Sequence, residues 1–350
     1  MLDEGPFDVH HVCVMSLPRF AAPAKSRIGT TAIAGALLVV AIAVAVTGCR
    51  ESRRVPRIDP TLRNWPDSYV GVEGVEVHVF DTGTLALPKA TVFRGGSWLS
   101  NMDLPATAFV ISHPKQGLIV FDTGFNERIY ENPNDYIGFA TSIVGSFAMA
   151  DRQDLVSQMR DAGFDPDDVS HVVLSHMHFD HTGSVEAFRN ADVVVAYDEL
   201  QGALHDSSFM SFFREEDFDE VREWTEVDFD DFEPYATFRS AADLLGDGSL
   251  LLIDLSGHTP GSMGLMVLTT DGPVLLTGDA AYVEESWRFS SVPLLADDMD
   301  LWWEQVWRIK KFAQLVPSAL IVPGHDLRIL DRVALPTVRL HEFSVGKADS

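Results

Sequence analysis

Cysteine is nearly absent, with only Cys13 and Cys49 in 350 residues. Two cysteines cannot build a disulfide framework. If the chain is cut before Cys49, none is left inside the fold to ligate a metal. Basic residues are scarce as well: 26 Lys and Arg stand against 52 Asp and Glu, a net charge of −26. Residues 1–48 hold three acids and three bases, so the acidity belongs to the rest of the chain. Such a surface repels phosphate backbones, which argues against a nucleic-acid partner or substrate. Its plain use is solubility. No internal repeat or long low-complexity tract is present. What remains, 46% hydrophobic and 22% charged, is the balance of a globular protein that can bury a sizeable core.

One stretch lacks charge altogether. Ile28 to Gly48 is apolar and follows Arg19, Lys25 and Arg27. That is a positive n-region and an apolar h-region, the plan of a secretory signal. The run ends in "VTGC", Val46 to Cys49, which resembles a bacterial lipobox, where the chain is cut before a cysteine that becomes lipidated. The expected organisation is a lipoprotein-type signal peptide over 1–48, a lipid-anchored tether over 49–70 and a folded domain over 71–350. The protein is then exported and held at a membrane of the cell envelope through Cys49. The alternative is an uncleaved membrane helix, since about 20 apolar residues span a bilayer. Residues 1–14 are acidic and suit an n-region poorly, so Met15 stands beside Met1 as a start.

Within the domain, Val75–Phe80 reads as a strand, and Ala106–Ser112 and Leu118–Asp122 as a hairpin around "HPKQG". A helix is expected near Arg152–Ala162. His171–Ser175 and Val193–Tyr197 are strands, and "FFREEDFDEVREW" reads as helical. Asp271-Gly272 joins two apolar runs as a two-residue hairpin. Asp297 or Asp298 caps a helix running to about Leu315, with Trp302, Val306 and Ile309 on its core face. Ala319–Val322 is a last strand. No linker divides these elements, so one domain of two sheets flanked by helices is expected.

The chemistry is concentrated in "SHMHFDHTG", residues 175–183. On an extended segment alternate residues point the same way, so His176 and His178 reach one metal together. Asp180 continues that alternation on a chain about to turn, and His181, one residue later, can face another metal, so two ligand pairs within six residues suit two adjacent ions. One loop cannot complete two sites, because a catalytic zinc takes about three protein ligands. Three further candidates each follow an apolar run and a glycine: His258 in "SGHTPGS", Asp279 in "LLTGDAAY" and His325 in "IVPGHD". Singly, each is as well explained by a structural hydrogen bond or a turn.

Taken together, "HMHFDH", "GHTPGS", "GDA", "PGHD" and "FDTG" at 121–124 resemble the metallo-β-lactamase superfamily over roughly residues 72–335. The resemblance implies an α+β fold, an αββα sandwich of two mixed β-sheets with two metals between their edges. The metals would be two Zn²⁺, with other divalent ions possible. His176, His178 and His258 would hold the first, Asp180, His181 and His325 the second, and Asp279 would bridge them. Asp122 either orients a ligand histidine or closes a turn. Tyr282, three residues after Asp279, is similar in offset to a tyrosine of the N-acyl homoserine lactonases. That likeness implies ring opening of a lactone by a hydroxide shared between the metals. Tyr282 would hold the oxyanion, and Asp180 and Asp279 would serve the catalysis. The alternative reading of Tyr282 is a packed aromatic beside the site.

A lactone or other small ester is thus the expected substrate, an acyl homoserine lactone quorum signal first. A phosphotriesterase or thioester hydrolase on the same site is the alternative, with an iron-dependent oxygenase and a non-catalytic zinc-binding lipoprotein behind it. Stretch 138–150, Phe209–Phe213 and Trp287–Phe289 are candidates for an acyl groove or a homodimer contact.

Overall fold

In the computed structural model, residues 53–343 are described, apart from 207–211, 295 and 334. The expected signal peptide, Cys49 and Met15 lie outside the described residues. The strands form two sheets. The first holds β1 (Glu76–Pro88), β2 (Asn101–His113), β3 (Gly117–Thr123), β4 (Ser146–Ala148), β5 (Val169–Val173), β6 (Asp192–Ala196) and β7 (Trp224–Val227), with β13 (Val338–His341). Its order is β13-β1-β2-β3-β5-β6-β7, with β4 paired to β1. The second, β12-β11-β10-β9-β8, holds β8 (Ala241–Asp243), β9 (Leu250–Asp254), β10 (Met263–Thr269), β11 (Gly272–Leu276) and β12 (Leu320–Val322). Both sheets are mixed, as β3, β5, β6 and β7 run parallel while β1, β2 and β3 are antiparallel neighbours. In the second sheet only the β11–β12 pair is parallel.

The strands are apolar on both faces because both faces are covered. In β9, Leu250 and Leu252 point between the sheets, while Leu251 and Ile253 point to the helix Met299–Leu315. In β10, Met263, Leu265 and Val267 take the inner face, Met266 and Leu268 the outer. The first sheet repeats the pattern. Phe109, Ile111, Ile119 and Phe121 face inward. Val110, Val120 and Val172 face Leu155 and Met159 of the helix Leu155–Asp161 and Leu200 of the helix Tyr197–His205. Four layers result: helices, sheet, sheet, helix. Burying each such side chain is worth about 1.5–3 kcal/mol.

The helix Met299–Leu315 starts where expected. The Asp298 carboxylate accepts from Asp300 N and Leu301 N, both at 2.9 Å. Trp302, Val306 and Ile309 are fully buried on its inner face.

Three expectations need correcting. "FFREEDFDEVREW" is not a helix. It holds one 3₁₀ turn, Glu215–Asp217, and ends in β7. Phe218, Val221 and Trp224 have helical spacing, but pairing of Trp224 with Val193 at the open edge of β6 prevails over it. The hairpin turn lies one residue earlier than read, at Thr270-Asp271, with Thr269 paired to Gly272. Residues 53–70 are not a loose tether throughout. Arg63 and Ala236 exchange both backbone hydrogen bonds, Trp65 packs on Tyr235 and Phe312, and Tyr69 Oη donates to Thr269 O at 2.6 Å.

Candidate metal centre

Five strands deliver side chains to one edge of the sandwich. Asp122 stands at the end of β3. His176 and His178 follow β5, and a single helical turn, Phe179–Thr182, then carries Asp180 and His181. His258 follows β9, Asp279 follows β11 and His325 follows β12. Two glycines permit the convergence. Gly278 has φ +48°, and any side chain there would strike Ser175. A Cβ on Gly324 would come within 2.6 Å of Asp279 Oδ1.

All seven expected ligands are brought together. They form three overlapping sets, each with donor atoms within 4.8 Å of one another: His176, His178 and His258; His176, His181 and Asp279; Asp180, His181 and His325. His178 Nδ1 lies 3.1 Å from His176 Nε2 and 3.2 Å from His258 Nε2. Tetrahedral zinc with bonds of about 2.0–2.1 Å sets its ligand atoms about 3.3 Å apart. Asp279 divides its oxygens between the two ends. Oδ2 is 3.3 Å from His258 Nε2 and 3.8 Å from His176 Nε2. Oδ1 is 3.0 Å from His325 Nε2 and 3.5 Å from His181 Nε2. Asp180 Oδ2 is 3.6 Å from both His181 and His325.

The outward nitrogens are occupied, and this fixes the tautomers. His181 Nδ1 donates to Asp122 Oδ2 at 2.8 Å and His325 Nδ1 to Pro105 O at 2.9 Å. His176 Nδ1 donates to Ser175 Oγ at 3.0 Å, and that hydroxyl donates to Asp122 Oδ2. His258 Nδ1 lies 3.1 Å from Tyr282 Oη, a hydroxyl able to accept or donate. The rings of His181, His325 and His176 therefore each turn a bare Nε2 inward. His181 Nε2 and Asp279 Oδ1 are buried without a hydrogen-bond partner. Lone pairs that face lone pairs at such distances require a cation between them.

The electrostatics agree. Burial pulls His176, His178 and His258 below the usual imidazole range, which leaves them neutral donors. Burial opposes charge on His181 too, but the carboxylates of Asp122, Asp180 and Asp279 outweigh it and lift His181 to about 10. Neutral imidazoles beside a spot that attracts positive charge fit two divalent cations.

Residues 102–325 match the model of the metallo-β-lactamase superfamily. The chain belongs to the metallo-β-lactamase superfamily. It is a metal-dependent hydrolase. N-acyl homoserine lactonase AttM of Rhizobium radiobacter is 30% identical over 256 residues, 72% of this chain and 93% of that protein. AttM of Azorhizobium caulinodans is 29% identical over 258 residues, with the same coverage. The solved structure of an N-acyl homoserine lactone hydrolase, with N-hexanoyl-L-homoserine bound at its metal centre, shares the fold. Its TM-score is 0.64 at 23% identity, over 77% of this chain and 98% of that one.

Within this superfamily centre, Asp122 proves to be an orienter. Besides His181 it accepts from Ser175 N at 2.6 Å, and it does so from a left-handed φ of 57°. The sequence reading missed Glu199. This fully buried acid accepts from Met177 N at 2.8 Å and Gly261 N at 3.2 Å, and so joins two ligand loops. Nothing local marks it, since a Glu in the first turn of a helix is commonplace. Trp302, expected as core, also donates from Nε1 to Asp279 O at 3.2 Å.

A cavity of about 240 Å³ opens onto the centre. Asp180, His258, Asp279, Tyr282 and His325 form its floor, and Leu85, Leu104, Phe147, Phe212 and Leu294 are among its walls. Of the groove candidates, Val144, Phe147 and Phe212 line it. Phe209 lies outside the described residues. Trp287 belongs instead to the core under the helix Met299–Leu315, and Phe289 is 71% exposed.

Proposed function

We propose that this protein opens the ring of N-acyl homoserine lactones at a two-zinc centre. The observation that carries the reading is the cavity. It is walled by apolar side chains, and none of its described lining residues is Lys or Arg. Such a pocket accepts a neutral ester with an apolar tail. It offers no side-chain cation to the carboxylates of a glutathione thioester. The kinship with AttM, a lactonase by name, points the same way.

Two ions held by the seven ligands would supply a nucleophile from water near pH 7 and polarise the ester carbonyl. The chain supplies the rest. With its Nε2 given to a metal, His258 would carry its proton on Nδ1 and donate it to Tyr282 Oη, leaving the phenol proton free for a substrate oxygen. Burial, with Asp279 and Asp180 nearby, pushes its phenol well above the usual range, so it remains a donor at neutral pH. Placed on the cavity floor, it stabilises negative charge as the carbonyl becomes tetrahedral. Asp180 borders the same cavity and would take the proton released by the attacking water and pass it to the leaving ring oxygen. The apolar walls exclude water and hold the tail.

A neutral phosphotriester also satisfies the cavity and is the second reading. Hydrolysis of a panel decides between them: homoserine lactones of several chain lengths, a δ-lactone, paraoxon and a thioester. Preference for the acyl lactones supports the proposal, and faster turnover of paraoxon or the thioester rejects it.

We also propose that the enzyme is exported and lipid-anchored at Cys49, from the apolar run and the "VTGC" ending. A clickable fatty acid should label the wild type and spare Cys49→Ala. No labelling of either removes the anchor.

A further inference from the structure

Asp217 is a fully buried acid outside the metal centre. Three side chains from two parts of the chain donate hydrogen bonds to it. Asn126 Nδ2 donates to Oδ1 at 3.1 Å, and Tyr136 Oη and Thr182 Oγ1 donate to Oδ2 at 2.5 and 3.2 Å. Thr182 immediately follows the ligand His181. Asn126 and Tyr136 belong to the segment 126–148 after β3, which brings Val144 and Phe147 to the cavity wall. Asp217 itself lies five residues beyond Phe212, another wall residue.

Further contacts run between the same segments. Arg128 pairs with Glu216 at 2.9 Å, and Arg214 donates to Ile137 O and to Thr141 Oγ1. Phe179, on the ligand-bearing helical turn, fills the space between them. Its ring lies 5.3 Å from Phe147 and 6.3 Å from Tyr136, and the Arg214 guanidinium sits 5.8 Å from its centre. The backbone agrees, because Phe179 N donates to Phe212 O at 2.9 Å.

Burying a carboxyl is costly, and burial lifts Asp217 to about 7. An apolar residue would fill the volume without that cost. What a carboxyl adds is a fixed geometry for three donors, and here it ties its own segment, next to Phe212, to the wall segment 126–148 and to the ligand turn.

We propose that Asp217 and Tyr136 are positioning residues for substrate selection. Their contact fixes the wall segment 126–148 against the ligand turn, so the grip on the apolar tail depends on it. The metal ligands, held by Asp122, Ser175, Pro105 and Tyr282, do not. The proposal deepens the lactone reading and rests on it for the identity of the tail.

Tyr136→Phe tests it, since the ring stays and only the hydroxyl is lost. The full chain is examined by hydrogen–deuterium exchange, by metal content, and by KM and kcat on butanoyl- and decanoyl-homoserine lactone. Exchange across 126–148 should quicken at least fivefold. KM for the decanoyl substrate should rise fivefold or more, with butanoyl kinetics within twofold and metal content unchanged. Unaltered exchange, an equal rise for both chain lengths, or loss of metal would overturn it. Should the wild type open no lactone, the same comparison on 4-nitrophenyl butanoate and decanoate, with the exchange data, decides the proposal independently of the lactone reading.

Discussion

Asp279 faces two ways, with one carboxylate oxygen turned to His176 and His258 and the other to His181 and His325. At the scale of single residues the centre depends on such divided duties. Asp122 holds His181 and Ser175 at once. Asp122→Asn keeps the size and tolerates the left-handed backbone, but cannot accept from all three donors. Metal affinity should fall about 10–100-fold, read by competition with a chelator. The proposed function gives Tyr282 two roles as well, as a partner of His258 and as a donor towards the substrate. With metal saturating, Tyr282→Phe should lower kcat by about tenfold, or 1.4 kcal/mol. A fall of less than about threefold would leave Tyr282 as an acceptor for His258 alone. The seven residues gathered at the centre were legible in the sequence because four crowd into positions 176–181 and the other three each follow an apolar run and a glycine. Glu199 and Asp217 were not, since their partners lie 22 to 91 residues away and only the fold assembles them.

At the scale of elements, legibility followed the covering of the faces. Strands buried on both sides, such as β9 and β10, stand out as apolar runs. The capped helix Met299–Leu315 stood out through Asp298 and its buried stripe. The stretch 212–224 was misread because its side chains serve the Asp217 cluster and the edge of β6 rather than a helix of their own. That cluster carries a pH signature. The folded pKa of Asp217, about 7, lies above its ordinary 3.8. A group raised in this way favours folding while protonated. Its contribution is complete below about pH 4 and is lost as pH rises through 7, on the order of a few kcal/mol. Denaturation midpoints should therefore drop between pH 5.5 and 8.5 in the wild type by more than in Asp217→Asn. Equal drops would mean that Asp217 is ionised throughout.

At the scale of the whole molecule, the ligands join both sheets. His176, His178, Asp180 and His181 come from the first, and His258, Asp279 and His325 from the second. Ions that bind only the folded state stabilise it by mass action, about 4 kcal/mol at a thousand times Kd. Dialysis against a chelator should lower the melting temperature, and added zinc should restore it. The most direct test is elemental analysis of the purified protein and of Asp279→Ala, with ester turnover measured on the same samples. The account predicts two metal ions per chain in the wild type, at most one in the variant, and a loss of turnover of at least a hundredfold. One ion per wild-type chain, or an active Asp279→Ala that still holds two, would contradict it.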